Sequence, residues 1–77
     1  VGQVESDPVP GQPAKVHNAR MVLYWAGKAG LFGLAAKGPA EGSRITAAVP
    51  STTLVCTEWM DLAPAAVTAL AGWPDAA

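Results

Sequence analysis

His17 and Cys56 are the one imidazole and the one thiol of a 77-residue chain, and they make its most reactive possible pairing. A thiol becomes a nucleophile when an adjacent base takes its proton and a third group orients that base. No orienting carboxylate or set of oxyanion donors stands out beside them. Both residues fall on strand faces expected to point inward, where a cysteine behaves as a small hydrophobe. One Cys and one His cannot close a zinc site, and a single Cys excludes an internal disulfide framework. The expectation is a protein with no catalytic residues, no metal and no cofactor.

A second candidate is the glycine-rich stretch holding Gly27, Gly30 and Gly33 with Lys28, between an expected strand and an expected helix. Phosphates are often cradled at such a junction. A P-loop, however, needs G-x-x-x-x-G-K-[ST], and here Ala29 follows Lys28 with no hydroxyl. The spacing also fails the dinucleotide fingerprint G-x-G-x-x-G. Lys28, Gly27 and Gly30 stay as anion-binding candidates, against the plainer reading of a flexible connection.

The third candidate is electrostatic. Glu58 sits on the more apolar face of its expected strand, which is costly unless a cation meets it. Arg20 and Arg44 are the available cations, so an ion pair among Arg20, Arg44 and Glu58 is one expectation and a solvated Glu58 is the other. Trp25, Trp59 and Trp73, with Tyr24, exceed what so small a core needs. Large aromatics of this kind anchor interfaces, and Trp59, Trp73 and Tyr24 are the interface candidates.

These residues must be carried by short elements. Ser6–Pro13 packs three prolines, a glycine and an aspartate into eight positions. A Pro-rich loop over 6–14 should therefore connect a short first strand, Val1–Glu5, to the next strand. Lys15–Trp25 has the residues of a strand, with His17, Ala19, Met21, Leu23 and Trp25 on the expected core face and Val16, Asn18, Arg20, Val22 and Tyr24 opposite. Leu31–Lys37 has helical spacing and stops at Gly38-Pro39. Arg44–Val49 should be a strand broken by Pro50-Ser51, and Thr53–Leu62 a second long strand. Pro64 then opens a terminal helix with Ala63, Val67, Leu70 and Ala71 in one stripe, ended by Gly72. Trp73, just beyond, is expected to fold back on it as a plug. The order predicts an α+β fold: a small antiparallel-dominated curved sheet or partial barrel with one inserted short helix and a short C-terminal helix. All of 1–77 makes a single small domain.

Composition bounds the function. The net charge is −1, and the five Lys and Arg residues are dispersed, which argues against nucleic-acid binding through a basic patch. No apolar run reaches the roughly 18–20 residues of a membrane span, and no signal peptide is visible. Hydrophobic residues form 51% of the chain, but sixteen of them are alanines, while charged residues form only 14% against the usual share of about 25%. A lone soluble domain needs more solvated surface, so part of this surface is expected to be covered by another copy or another protein. Val1 stands where a methionine would begin a chain, which suggests truncation at the N-terminus.

The ordered blocks Asn18-Ala19-Arg20, Tyr24-Trp25, a small-residue turn and helix, Gly38, Ser43-Arg44-Ile45-Thr46, Val49-Pro50 and Leu54 with Thr57-Glu58 are less generic than any one alone. They resemble, over about Val1–Ala71, a family of small uncharacterised proteins encoded by bacteriophages and prophages. The chain departs from that pattern at Trp59-Met60, where small aliphatic residues are more usual. The resemblance implies a viral origin and an additional hydrophobic strand upstream of Val1; it implies no activity. Two functions are expected on these grounds. The first is a non-enzymatic phage structural or assembly protein, acting through multi-copy contacts with itself or other phage proteins in a virion or ring. The alternative is a counter-defence protein that binds and sequesters a small nucleotide signal through Arg20, Tyr24, Lys28 and Arg44. The expected location is the virion or the host cytoplasm, without a membrane partner.

Overall fold

A computed structural model describes residues 1–76. Its elements run β1 (Pro13–Ala19), β2 (Val22–Tyr24), α1 (Gly30–Lys37), β3 (Arg44–Ile45), β4 (Val49–Val55) and α2 (Pro64–Ala71). The chain is α+β, with antiparallel pairing, one helix inserted between strands and one helix at the C-terminal end. The strands divide into two small sheets, β1 with β4 and β2 with β3.

β1 is bonded along both edges. On one side it pairs with β4, from Pro13↔Val55 to Ala19↔Val49. On the other, Gln3 and His17 exchange backbone bonds of 2.9 and 2.7 Å, and the Arg20 N–H donates to the Val1 carbonyl at 2.8 Å. The N-terminal segment therefore lies antiparallel beside β1, joined to it by the Pro-rich loop. Its register slips by one residue between Gln3↔His17 and Val1–Arg20, so the chain bulges opposite Gly2. Asn18 takes up the slip with φ 49, a conformation asparagine tolerates better than most side chains. Asn18 also stands opposite Pro50, which has no N–H to offer a ladder.

That bulge corrects the expected strand Lys15–Trp25. The chain leaves the first sheet at Arg20-Met21 and re-enters pairing as β2 in the second. The expected core face is not the buried one: His17 and Ala19 are half-buried but Met21, Leu23 and Trp25 are exposed, while on the other face Val16 is buried, Arg20 and Val22 are half-buried, and Asn18 and Tyr24 are exposed. The cause is Arg20, whose side chain has carbonyl partners only on the inner side.

The other strands shift too. Arg44–Val49 pairs over only two residues, because Ile45 is fully buried beneath α2's trailing chain and its carbonyl accepts from the Ala76 N–H at 2.7 Å. Pro50-Ser51 does not break a strand; it lies inside β4. The expected strand Thr53–Leu62 ends at Val55, after which residues 56–63 run irregularly along α1, tied by the Ala63 N–H donating to the Ala35 carbonyl at 2.8 Å.

Both helices end where their sequence signals place them, but of the expected α2 stripe only Leu70 is buried: Ala66 joins it, while Val67 and Ala71 are exposed. Pro64 opens α2, where a missing N–H costs nothing, and Gly72 follows its end. Gly38 caps α1 with φ 86 and ψ −175, a region open essentially to glycine alone. It also lets α1 meet α2 closely, since a Cβ built there would stand 2.6 Å from the Ala69 Cβ. Leu34, Ala35, Ile45, Ala66 and Leu70 form the core between the helices and β3; Val16 is buried separately, against Gly2.

Gly38→Ala combines forbidden backbone with overpacking and should cost roughly 2–4 kcal/mol. Thermal unfolding followed by circular dichroism checks this, and a melting temperature unchanged by the substitution would contradict the packing described.

Candidate functional site

Arg20 is the most connected side chain of the molecule. Its Nε donates to the Thr46 carbonyl at 2.6 Å, Nη1 to the Leu70 carbonyl at 2.5 Å, and Nη2 to the Trp73 carbonyl and Asp75 Oδ1, both at 3.0 Å. The side chain is only 10% exposed. Leu70 lies in the last turn of α2, where a cation is favoured, and its carbonyl accepts from the Trp73 N–H as well as from Arg20. One guanidinium thus joins the end of β1, the β3–β4 connection and the end of α2. This is a structural hub with its donors committed to the chain itself.

The expected pairing of Arg20 or Arg44 with Glu58 is therefore replaced by Arg20 with Asp75. Glu58 falls beyond β4 in the irregular segment and is exposed, so water stabilises it without a cation. Arg44 is exposed on β3, directly across from Tyr24. Arg20, Tyr24 and Arg44 are thereby separated by role, with one locked inward and two at the surface.

The remaining candidates lie at the surface or apart from one another. Gly27 and Lys28 occupy the exposed turn before α1 and Gly30 is the helix's first residue, also exposed, with positive φ at both glycines (143 and 64). The residue before α1 is Ala29, which offers no side-chain cap. His17 Nε2 lies 3.6 Å from Glu5 Oε1 at the surface. Cys56 follows β4 five positions past Ser51, the partner of His17, so the two are roughly 17 Å apart along the ladder and cannot exchange a proton directly. Among the described residues no group of three His, Cys, Asp or Glu converges as a metal would need. Partial burial lowers the pKa of the Val1 ammonium from its ordinary 8.0.

The aromatic candidates divide. Trp73 folds back, and its Nε1–H donates to the Ser43 carbonyl at 3.1 Å while the ring is half-buried. Trp59 and Tyr24 are exposed, as are Trp25 and, at 77%, Phe32. Around the start of the chain Trp59 borders a run of largely apolar grooves. One of about 370 Å³ is lined by Val1, Leu31, Leu34, Trp59, Met60 and Leu62. It continues, through shared Val1, Gly2 and Leu62, into a second of about 330 Å³ bordered by Val67 and Leu70. Phe32, Leu31 and Met60 were not singled out in the sequence, since the helical spacing of Leu31 and Leu34 suggested burial for both.

The candidate site is accordingly a surface. Residues 1–70 match DUF6948, a domain of unknown function. The chain belongs to that family. No curated protein and no solved structure matches the chain. For this DUF6948 chain, the match spans the N-terminal segment, both sheets and α2 up to Leu70. It thus includes Arg20 and all fifteen exposed large apolar side chains, Phe32, Trp59 and Met60 among them.

Replacing Arg20 by Met removes the side-chain donors to the part-buried Thr46, Leu70 and Trp73 carbonyls and should cost about 3 kcal/mol; Arg20→Lys, lacking the planar fork, should recover less than half of that. Asp75→Asn should cost under about 1 kcal/mol, because Asp75 is 65% exposed. Urea denaturation of the three variants measures this order, and equal losses for Arg20→Met and Asp75→Asn would show that the ion pair, not the carbonyl cluster, carries the stability.

Proposed function

We propose that this protein is a non-enzymatic building block that works through repeated protein–protein contacts, in the setting its sequence resemblance suggests: a bacteriophage particle or ring, or its assembly in the host cytoplasm. The observation that carries this reading is an excess of surface. The accessible area is 5443 Å², whereas a folded monomer of 7.8 kDa should expose about 4,400 Å². The surplus is about 1,000 Å², comparable to the roughly 800 Å² each partner contributes to a standard interface.

The character of that surface points the same way. Fifteen of the twenty-two large apolar side chains are exposed, and only Val16, Leu34, Ile45 and Leu70 are buried. Apolar surface on this scale, gathered around grooves, marks interaction sites. A chain with so little buried area gains stability chiefly by covering it.

Nucleotide sequestration is the competing reading, but one of its four residues is engaged elsewhere. Arg20 would have to abandon the carbonyls of Thr46, Leu70 and Trp73 to meet a phosphate. Tyr24 and Arg44, facing each other across β2 and β3, and Lys28 are what that reading retains.

Sedimentation velocity from micromolar to sub-millimolar protein should show concentration-dependent self-association. Phe32→Glu, at a strongly exposed helix position, should weaken it about tenfold or more while shifting stability by less than about 0.5 kcal/mol. A wild-type chain that stays monomeric, or that carries a nucleotide in native mass spectrometry, contradicts the assembly reading.

A further inference from the structure

β4 has one free edge, and its chemistry is unusual for an edge strand. His17 commits its backbone N–H and C=O to Gln3, so in the β1–β4 ladder it is a non-hydrogen-bonded position opposite Ser51. Alternation then directs the N–H and C=O of Ser51, Thr53 and Val55 away from β1, and those of Thr52 and Leu54 toward it. Among the described residues nothing receives the outward groups: no side chain or loop bonds to them, and β4 packs against no named element but β1.

Edge strands are normally blunted by charge, by proline, by a bulge or by shortness. β4 reads Val-Pro-Ser-Thr-Thr-Leu-Val, seven residues without a charge. Its proline does not guard the edge, because Pro50 shares the parity of Thr52 and directs its missing N–H toward β1. The bulge lies on β1, at Asn18. The outer edge of β4 therefore presents an uninterrupted series of donors and acceptors at Ser51, Thr53 and Val55.

We infer that β4 is the pairing edge for β4 of a second copy of this chain, antiparallel across a two-fold axis at Thr52. This rests on the multi-copy reading above and names its partner and register. Thr52 is the midpoint of Val49–Val55, so a two-fold axis there uses the whole strand. Ser51 then pairs with Thr53 of the partner and Val49 with Val55 of the partner, all outward-facing positions, as an antiparallel ladder requires. The small β1–β4 ribbon, flanked by the N-terminal segment, becomes one half of a sheet continuous through the dimer. A two-stranded ribbon gains stability from added strands. Exposed Val49, Leu54 and Val55 acquire neighbours at this edge, which is a contact separate from the Phe32 surface.

The register allows a direct test in the full chain with Cys56→Ser as background. Thr52 would face its own copy as a non-hydrogen-bonded pair, about 4.5 Å between Cα atoms, a separation a disulfide can bridge. Thr52→Cys should give a linked dimer on mild oxidation, while Thr53→Cys, facing Ser51 of the partner, should not. Separately, Thr53→Pro removes an outward N–H and leaves the β1 ladder intact, and it should weaken dimerisation about tenfold or more. A wild-type chain that is monomeric by sedimentation defeats the assembly reading and this edge with it. An associating wild type that shows no Thr52→Cys link defeats the edge alone, as does a link at Thr53→Cys in its place. Should Thr53→Pro fail to fold, the cysteine pair still decides.

Discussion

The Arg20 guanidinium is the constraint around which this small chain is arranged. Its donors reach carbonyls on two stretches far apart in the sequence, at Thr46 after β3 and at Leu70 and Trp73 around the end of α2. A charged donor that is nearly buried must find such partners, since leaving it unsatisfied costs more than most single contacts contribute. Satisfying Arg20 draws the end of α2 toward the first sheet and sets where the chain after α2 runs. Trp73 and Ile45 then complete the closure through the Ser43 and Ala76 backbone bonds.

The hub compensates for a thin core. Four large apolar side chains are buried among the described residues, and the helices meet mostly through small residues, Gly38, Ala66 and Ala69. Close approach of backbones through alanine and glycine gives good packing but buries little area per residue. Side chains the core does not cover stay outside: Leu31 and Phe32 on α1, Met60 and Trp59 beside it, and Leu54 and Val55 at the sheet edge. The same shortage of volume inside thus accounts both for the dependence on Arg20 and for the apolar exterior on which the assembly proposal rests.

Turn and cap chemistry makes both helices legible in the sequence. Pro64 and Gly72 bracket α2, and Gly38-Pro39 stops α1, because these residues act through their own backbone limits. The Pro-rich loop and the antiparallel return of Val1–Gln3 are visible for the same reason. The strands are harder. Alternation in Lys15–Trp25 suggests a single strand with Met21, Leu23 and Trp25 inside, whereas the chain leaves the first sheet at Arg20-Met21 and the carbonyls that meet Arg20 hold that residue on the inner side. The Thr53–Leu62 pattern likewise continues past Val55, where β1 has no further residues to pair.

What the sequence determined by itself was therefore local and compositional: an α+β chain, its helix ends, its scarcity of charge and its surplus of apolar side chains. Tertiary structure decided which of those side chains are outside, that Arg20 meets Asp75 and not Glu58, and that β4 keeps an open, uncharged edge. The division has a physical cause. Propensities and caps depend on a residue and its immediate neighbours, but a buried cation or a strand register depends on groups up to fifty-five positions away, which alternation along one segment does not encode.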